Sequence, residues 1–220
     1  MFFNYDLSIY DEVFDLLEKH EIPEQFPEED DPISNPLFNL GPPTLGMASL
    51  MIRDQYIRRC GFCFLSKNWI APLAAWIGDR RCLEIMCGSG ALSKCLSDYG
   101  VNIRATDNHS WGDRYSWFQN TWTTVEQLDC LEAIEKYGGE VDLILCSWPY
   151  MDDTCYKALL AMRVKNPNAM MIYIGERDGE ACANDDFFEA IEDVEDPAFY
   201  KAVQNFRAAY TVHDFPRLVK

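Results

Sequence analysis

An α/β fold on a doubly wound, mostly parallel sheet, with helical additions in front of it, is what this sequence predicts. Three observations carry that expectation. Residues 81–107, RCLEIMCGSGALSKCLSDYGVNIRATD, read as strand, glycine loop, helix and strand, which is half of a βαβ unit. VDLILC at 141–146 and AMMIYI at 169–174 are short apolar runs, the pattern of parallel strands buried on both faces. Helical stretches at 131–137 and 153–163 separate these runs, and strands that alternate with helices imply a parallel sheet.

Taken in order, residues 5–20 place Leu7, Tyr10, Val13, Phe14 and Leu17 at helical spacing. Pro23, Pro27, Pro32, Pro36, Pro42 and Pro43 then break residues 21–46 into an extended linker, placed to wrap the domain or cover its site. Residues 1–46 are therefore read as an acidic N-terminal helix and proline-rich arm, and 47–220 as a single domain. Helical character resumes over 47–60, where Arg53, Arg58 and Arg59 make either an exposed face or a local anion-binding patch. Cys60-Gly-Phe-Cys63 has CxxC spacing, but neither a second cysteine pair nor a histidine cluster accompanies it. A zinc site needs about four ligands, so no metal is expected. A helix over 70–77 precedes the first strand, and Lys67 ahead of it is either a surface lysine or a contact for an anionic ligand end.

The first strand is expected over 82–86, the loop at Cys87, Gly88, Ser89 and Gly90, a helix over 91–99, and a second strand over 101–106 closed by Asp107. Gly88 and Gly90 would let the backbone approach a ligand where a Cβ would collide. An acid at the end of the second strand is placed to accept hydrogen bonds from a ribose. Residues 109–122 carry Trp111, Tyr115, Trp117, Phe118 and Trp122, too aromatic for a plain exposed loop. A short strand over 124–128 leads to Asp129 and Cys130, and the helix after them stops at Gly138-Gly139. The strand at 141–146 empties into Ser147-Trp148-Pro149-Tyr150, at the sheet edge where open α/β folds bind ligands. The strand at 169–174 ends beside Glu176, a helix is expected over 185–193, and the last twenty or so residues supply one or two short strands.

Charge and composition exclude several classes. The net charge is -17 and the isoelectric point about 4.4, which disfavours a protein that grips nucleic acid through its phosphates. A local basic groove from Arg53, Arg58, Arg59, Lys67 and Arg114 is the route left open to such a partner. Residues 1–32 hold 11 acids and one lysine, a solvated face or a docking surface for a basic partner. No apolar run reaches the roughly 18 residues of a membrane span, and the first residues lack the basic segment of a signal peptide. Nine cysteines, most of them inside apolar runs, suit free thiols in a reducing compartment, and the expected location is cytoplasmic.

The combination resembles a class I S-adenosylmethionine-dependent methyltransferase over about residues 64–176, with a three-layer α/β/α fold. LEIMCGSGAL is similar to that family's first motif, an acid followed by a glycine loop under the methionine part of the cofactor. The resemblance therefore implies cofactor-binding roles for Glu84, Met86, Cys87, Gly88 and Gly90, with Lys67 near an anionic end. Asp107 resembles the acid that holds the ribose hydroxyls, with Asn108 beside the adenine. VEQLDCLEAI resembles the third motif, in which Asp129 takes the adenine amino group and Cys130 its neighbouring nitrogen. SWPY resembles the fourth, an Asp/Asn/Ser-Pro-Pro-Tyr/Phe/Trp loop of amino-group methyltransferases, and is also similar to a little-characterised group with a WPPY loop. Met86 replaces the family's usual first glycine, and Trp148 replaces the first proline of the fourth motif.

On that resemblance Ser147 and the carbonyl at Trp148 hold an acceptor amine, Pro149 stiffens the loop, and Tyr150 or Trp148 stacks on a flat acceptor. Glu176 binds a cationic substrate group or takes a proton, or else is a surface acid. The function expected is methyl transfer to an amino group or other nucleophile on a small molecule. The alternatives are a cofactor-binding protein without turnover, used for interaction, and a nucleic-acid amino-methyltransferase. A dinucleotide cofactor fits less well, since its loop needs a third glycine where this chain has Ser93.

Overall fold

The computed structural model describes residues 10–27, 44–110, 120–177, 181–209 and 212–220, with side chains from residue 51 onward in the second of these segments. Six strands form one sheet in the order β3-β2-β1-β4-β5-β6. They are β1 (Cys82–Ile85), β2 (Ile103–Asp107), β3 (Val125–Gln127), β4 (Leu143–Ser147), β5 (Met170–Gly175) and β6 (Phe215–Val219). The first five are parallel, and β6 runs antiparallel to β5 with Ile172 opposite Leu218. The mostly parallel, doubly wound sheet is the expected fold class.

Alternation along the strands divides the interior in two. One face carries Leu143, Leu145, Ile172, Ile174 and Leu218, the other Leu83, Ile85, Ile144, Cys146, Met171 and Tyr173. Against the first face pack α1 (Asp11–Leu17), α2 (Thr44–Arg59), α3 (Lys67–Ile77), α4 (Ala91–Asp98) and α8 (Pro197–Ala202). Against the second pack α5 (Cys130–Tyr137), α6 (Thr154–Lys165) and α7 (Asp185–Ala190). Three layers follow, because every central strand is apolar on both sides and needs a helical cover over each.

Several boundaries differ from the sequence reading for identifiable reasons. β1 stops at Ile85 because Met86 turns to φ 53. The helix after β3 begins one residue earlier than expected, since Asp129 is its N-cap in a complete capping box with Glu132. α7 ends at Ala190 instead of continuing to 193, because Asp193 is drawn into an antiparallel bridge with Val219. Among the described residues of the last twenty, one strand is found, β6. Tyr10, Val13, Leu17, Ile22 and Phe26 are buried in the first core with Tyr56 and Phe64, so residues 10–27 pack onto the domain. Most of the expected proline-rich arm (28–43) and of the aromatic stretch (111–119) lies outside the described residues.

Gly90 sits at φ 72 just before α4, and a Cβ there would come within 2.9 Å of Thr123 Cγ2 and 3.0 Å of Val125 Cγ2. Its side-chain-free position is set by the approach to β3. Gly90→Ala combines a left-handed alanine with overpacking and should cost about 1–3 kcal/mol, measurable as a lower midpoint in urea denaturation with an unchanged slope.

Candidate functional site

The sheet grows outward from β1 through β2 to β3, then restarts on the other side of β1 with β4. A crevice therefore opens at the carboxyl ends of β1 and β4, where the two crossovers diverge. Two non-glycine residues in the left-handed region guard it, Met86 after β1 and Trp148 after β4, each at φ 53. Such a conformation costs on the order of 1–3 kcal/mol and persists only when neighbours enforce it.

Two cavities meet at this pair, since Met86 and Trp148 line both. The larger, about 480 Å³, is bounded by Met86, Asp107, Asn108, Asp129, Cys130 and Leu131 on one side and by Trp148, Pro149 and Tyr150 on the other. Lys157 and Thr154 from α6 complete it. The smaller, about 50 Å³, is lined by Glu84, Met86, Cys87, Gly88 and Ser147, and is covered by the loop carrying Cys60, Phe62 and Cys63. The sequence gives no local sign of that cover; it depends on Ser89 Oγ donating to the Cys60 carbonyl.

Asp107 is buried at 3% exposure and receives two backbone amides, Gly88 N–H at 2.9 Å on Oδ2 and His109 N–H at 2.7 Å on Oδ1. It thereby ties β2 to the glycine loop. Burial pushes its carboxyl above the ordinary range, opposed by those two amides. Glu84, 1% exposed, accepts on Oε2 from Ser93 N–H at 3.0 Å and Ser93 Oγ–H at 2.5 Å. Ser93, where a third glycine would stand, is thus the partner of the buried acid. Burial is the main cause that raises Glu84 to about 7, with Asp107 adding to it and the Ser93 bonds working against it. Asp129 uses Oδ1 on the amides of Leu131 and Glu132.

Around the SWPY loop, Trp148 N–H donates to the Ile174 carbonyl at 2.7 Å, and its indole Nε1–H donates to Asp214 Oδ2 at 2.9 Å. The Tyr150 hydroxyl lies 3.2 Å from Ser110 Oγ across the larger cavity. Ser147 shares a side-chain hydrogen bond with Cys63.

Three expected site residues are not with the others. Lys67 begins α3 and lines a separate cleft with Lys19, His20, Lys94 and Asp98, because its amide is tied to the Pro23 carbonyl. Gly90 lines neither cavity and is fixed by packing, as described. Glu176, 8% exposed, has its oxygens turned to the amides of Ala181 at 3.1 Å and His213 at 3.4 Å. The acid that does reach the SWPY loop is Asp214, in a stretch whose elements the sequence did not place. The basic groove is also divided: Arg58 pairs with Asp54, Arg59 with Glu18, and Arg114 is outside the described residues. One face of the Trp148 ring is taken, since Phe62 stacks on it at 5.4 Å and 21°.

The described residues hold no group of three or more His, Cys, Asp or Glu arranged for a metal ion, and no helix among them is long and apolar enough to cross a membrane.

No family model and no curated protein matches the chain. Among solved structures it is similar to human N-acetylserotonin methyltransferase in complex with SAM, at 13% identity and a TM-score of 0.47, over 98% of this chain and 67% of that one. It is also similar to the plantazolicin methyltransferase BpumL, at 11% identity and 0.43, over 97% and 99%. A third is magnesium protoporphyrin IX methyltransferase from Synechocystis PCC 6803, at 13% identity and 0.42, over 82% and 86%. At such values no residue's role is transferred from them, and the site stands on its own geometry.

Glu84 supplies a direct check of the buried acid. Its folded pKa, about 7, lies above the ordinary 4.5, so the native state holds the proton more firmly than the unfolded chain. Its contribution to stability is full below about pH 4.5 and is lost as pH rises to about 7. At 1.36 kcal/mol per pH unit the span is on the order of 3 kcal/mol. Urea denaturation of wild type and Glu84→Gln at pH 5 and pH 8 should show the wild type losing stability relative to the variant at the higher pH.

Proposed function

We propose that the protein is an S-adenosylmethionine-dependent methyltransferase acting on a nucleophile, an amino group first among them, of a small molecule. One observation carries this reading. Asp107, Asn108, Asp129 and Cys130, chosen from the sequence as an adenosine site, line a single cavity of about 480 Å³. Of the residues chosen for the methionine end, Glu84, Met86, Cys87 and Gly88 line the cavity that adjoins it, and Gly90 does not.

The donor set suits such a cofactor. Asp107 is a buried carboxylate at the end of β2 with lone pairs beyond the two amides it receives, as ribose hydroxyls require. Leu131 gives the larger cavity an apolar wall for a flat base. Glu84 lines the smaller cavity, as an acid must to face an ammonium group. When bound, the cofactor supplies an activated methyl group on a sulfonium, with a good leaving group already in place.

The chain's own residues then have to bind, orient and exclude water. Ser147, which lines the smaller cavity, and the carbonyl of Trp148, a residue that lines both, would accept hydrogen bonds from an acceptor amine, aiming its lone pair. Pro149 limits the loop's freedom. Tyr150, with its ring on the larger cavity, is the aromatic surface for the acceptor, because Trp148 is already stacked on Phe62. The loop over residues 60–63 excludes water from the methionine end.

Calorimetry tests the reading. Wild type should bind S-adenosylmethionine, and Asp107→Ala should bind it about 10- to 100-fold more weakly, the equivalent of losing one or two hydrogen bonds to a charged group. Ser147→Ala should keep the affinity and lose turnover once an acceptor is found. Absence of binding by folded wild type would remove the proposal.

A further inference from the structure

The side chains around Trp148 form a cation slot that the reaction, as proposed, does not use. Phe62 and Trp148 lie nearly parallel with ring centroids 5.4 Å apart. The Arg53 guanidinium, from α2, is 5.1 Å from the Trp148 ring centre and 5.9 Å from that of Phe62. Asp214, 4% exposed, holds the indole N–H on Oδ2, while its Oδ1 is buried with no hydrogen-bond partner among the described residues. Arg53 Nε is likewise buried and unpartnered among them. An orphan donor and an orphan acceptor of opposite charge therefore lie beside one indole.

A buried carboxylate oxygen without a donor is costly, and so is a buried guanidinium N–H without an acceptor. Arg53 fills the slot through its charge against the ring faces but leaves both costs in place. A ligand cation that could reach Oδ1 would remove the first. Phe62 and Trp148 both line the smaller cavity, so the ring pair borders the proposed reaction site.

We propose that Phe62, Trp148 and Asp214 form a recognition site for a guanidinium or alkylammonium group, and that Arg53 is its resident stand-in. Resting on the methyltransferase reading, the site receives a positively charged group of the methyl acceptor. It also replaces Glu176, whose oxygens are turned to backbone amides, as the acid that meets a cationic substrate.

Several groups face Asp214. Arg53 comes from α2, Cys63 from the covering loop, Glu176 from the end of β5 and Cys182 from the segment after it. Burial is the first cause that raises Asp214 to about 6, with Glu176 adding to it; the Trp148 bond and Arg53 act against it. The carboxylate is the cation-binding form, so affinity should fall as pH drops through about 6.

The test is calorimetric titration of Arg53→Ala with propylguanidinium, which restores the missing side chain, and with propylurea, its uncharged isostere. No S-adenosylmethionine is present, so the result is independent of whether the protein transfers methyl groups. The expected result is affinity for propylguanidinium at least tenfold above that for propylurea and above that of wild type for the same probe. Adding Asp214→Asn should abolish the preference for the charged probe. Equal affinity for the two probes, no binding by the folded variant, or a preference that survives Asp214→Asn would overturn the proposal. If Arg53→Ala fails to fold by circular dichroism, Arg53→Met keeps the apolar stem and is titrated against the same two probes, with the same outcomes decisive.

Discussion

Two turns of the wrong hand hold the site open. β1 and β4 are neighbours in the middle of the sheet, and the chain leaves each through a residue at φ 53, Met86 and Trp148. Glycine adopts that conformation without penalty; methionine and tryptophan do so only under compulsion. The compulsion is visible. Cys87 N–H is fixed to the Thr106 carbonyl and Gly88 N–H to Asp107, which sets the path after Met86. Trp148 is held by the Ile174 carbonyl, by Asp214 and by its stack on Phe62. The side chains that glycine would lack become the partition between the two cavities.

Met86 and Trp148 together build that partition. A methionine in place of the first loop glycine leaves the backbone route intact, because the residue takes the conformation glycine would have taken. What changes is the wall: a flexible thioether and an indole stand where an unobstructed passage would otherwise join the cavities. Buried acids surround the passage, Glu84 on one side and Asp107 on the other, both made harder to ionise by their burial.

The central elements were legible because their signals are local. Short apolar runs gave β1, β4 and β5; the glycine loop gave the turn after β1; Asp107 stood out as an acid at a strand end, and Asp129 through the resemblance of VEQLDCLEAI to a known motif. Phe62, Arg53 and Asp214 were not legible as a site. They come from the covering loop, α2 and the approach to β6, and only the tertiary fold places them together. Asp214 stands 66 residues after Trp148 in the sequence. Gly90, read from the sequence as making room for a ligand, also has to make room for Thr123 and Val125, which no local signal announces.

The antiparallel strand β6 has a consequence for how the site is assembled during translation. It is made after the five parallel strands, and Asp214 immediately precedes it. Domains fold while the ribosome is still adding residues. A nascent chain long enough to pair β1 with β4 already has its SWPY turn, yet the carboxylate beneath the indole has not been synthesised. The carboxylate that holds the indole is therefore among the last groups of the fold to be made, after every strand that flanks Trp148.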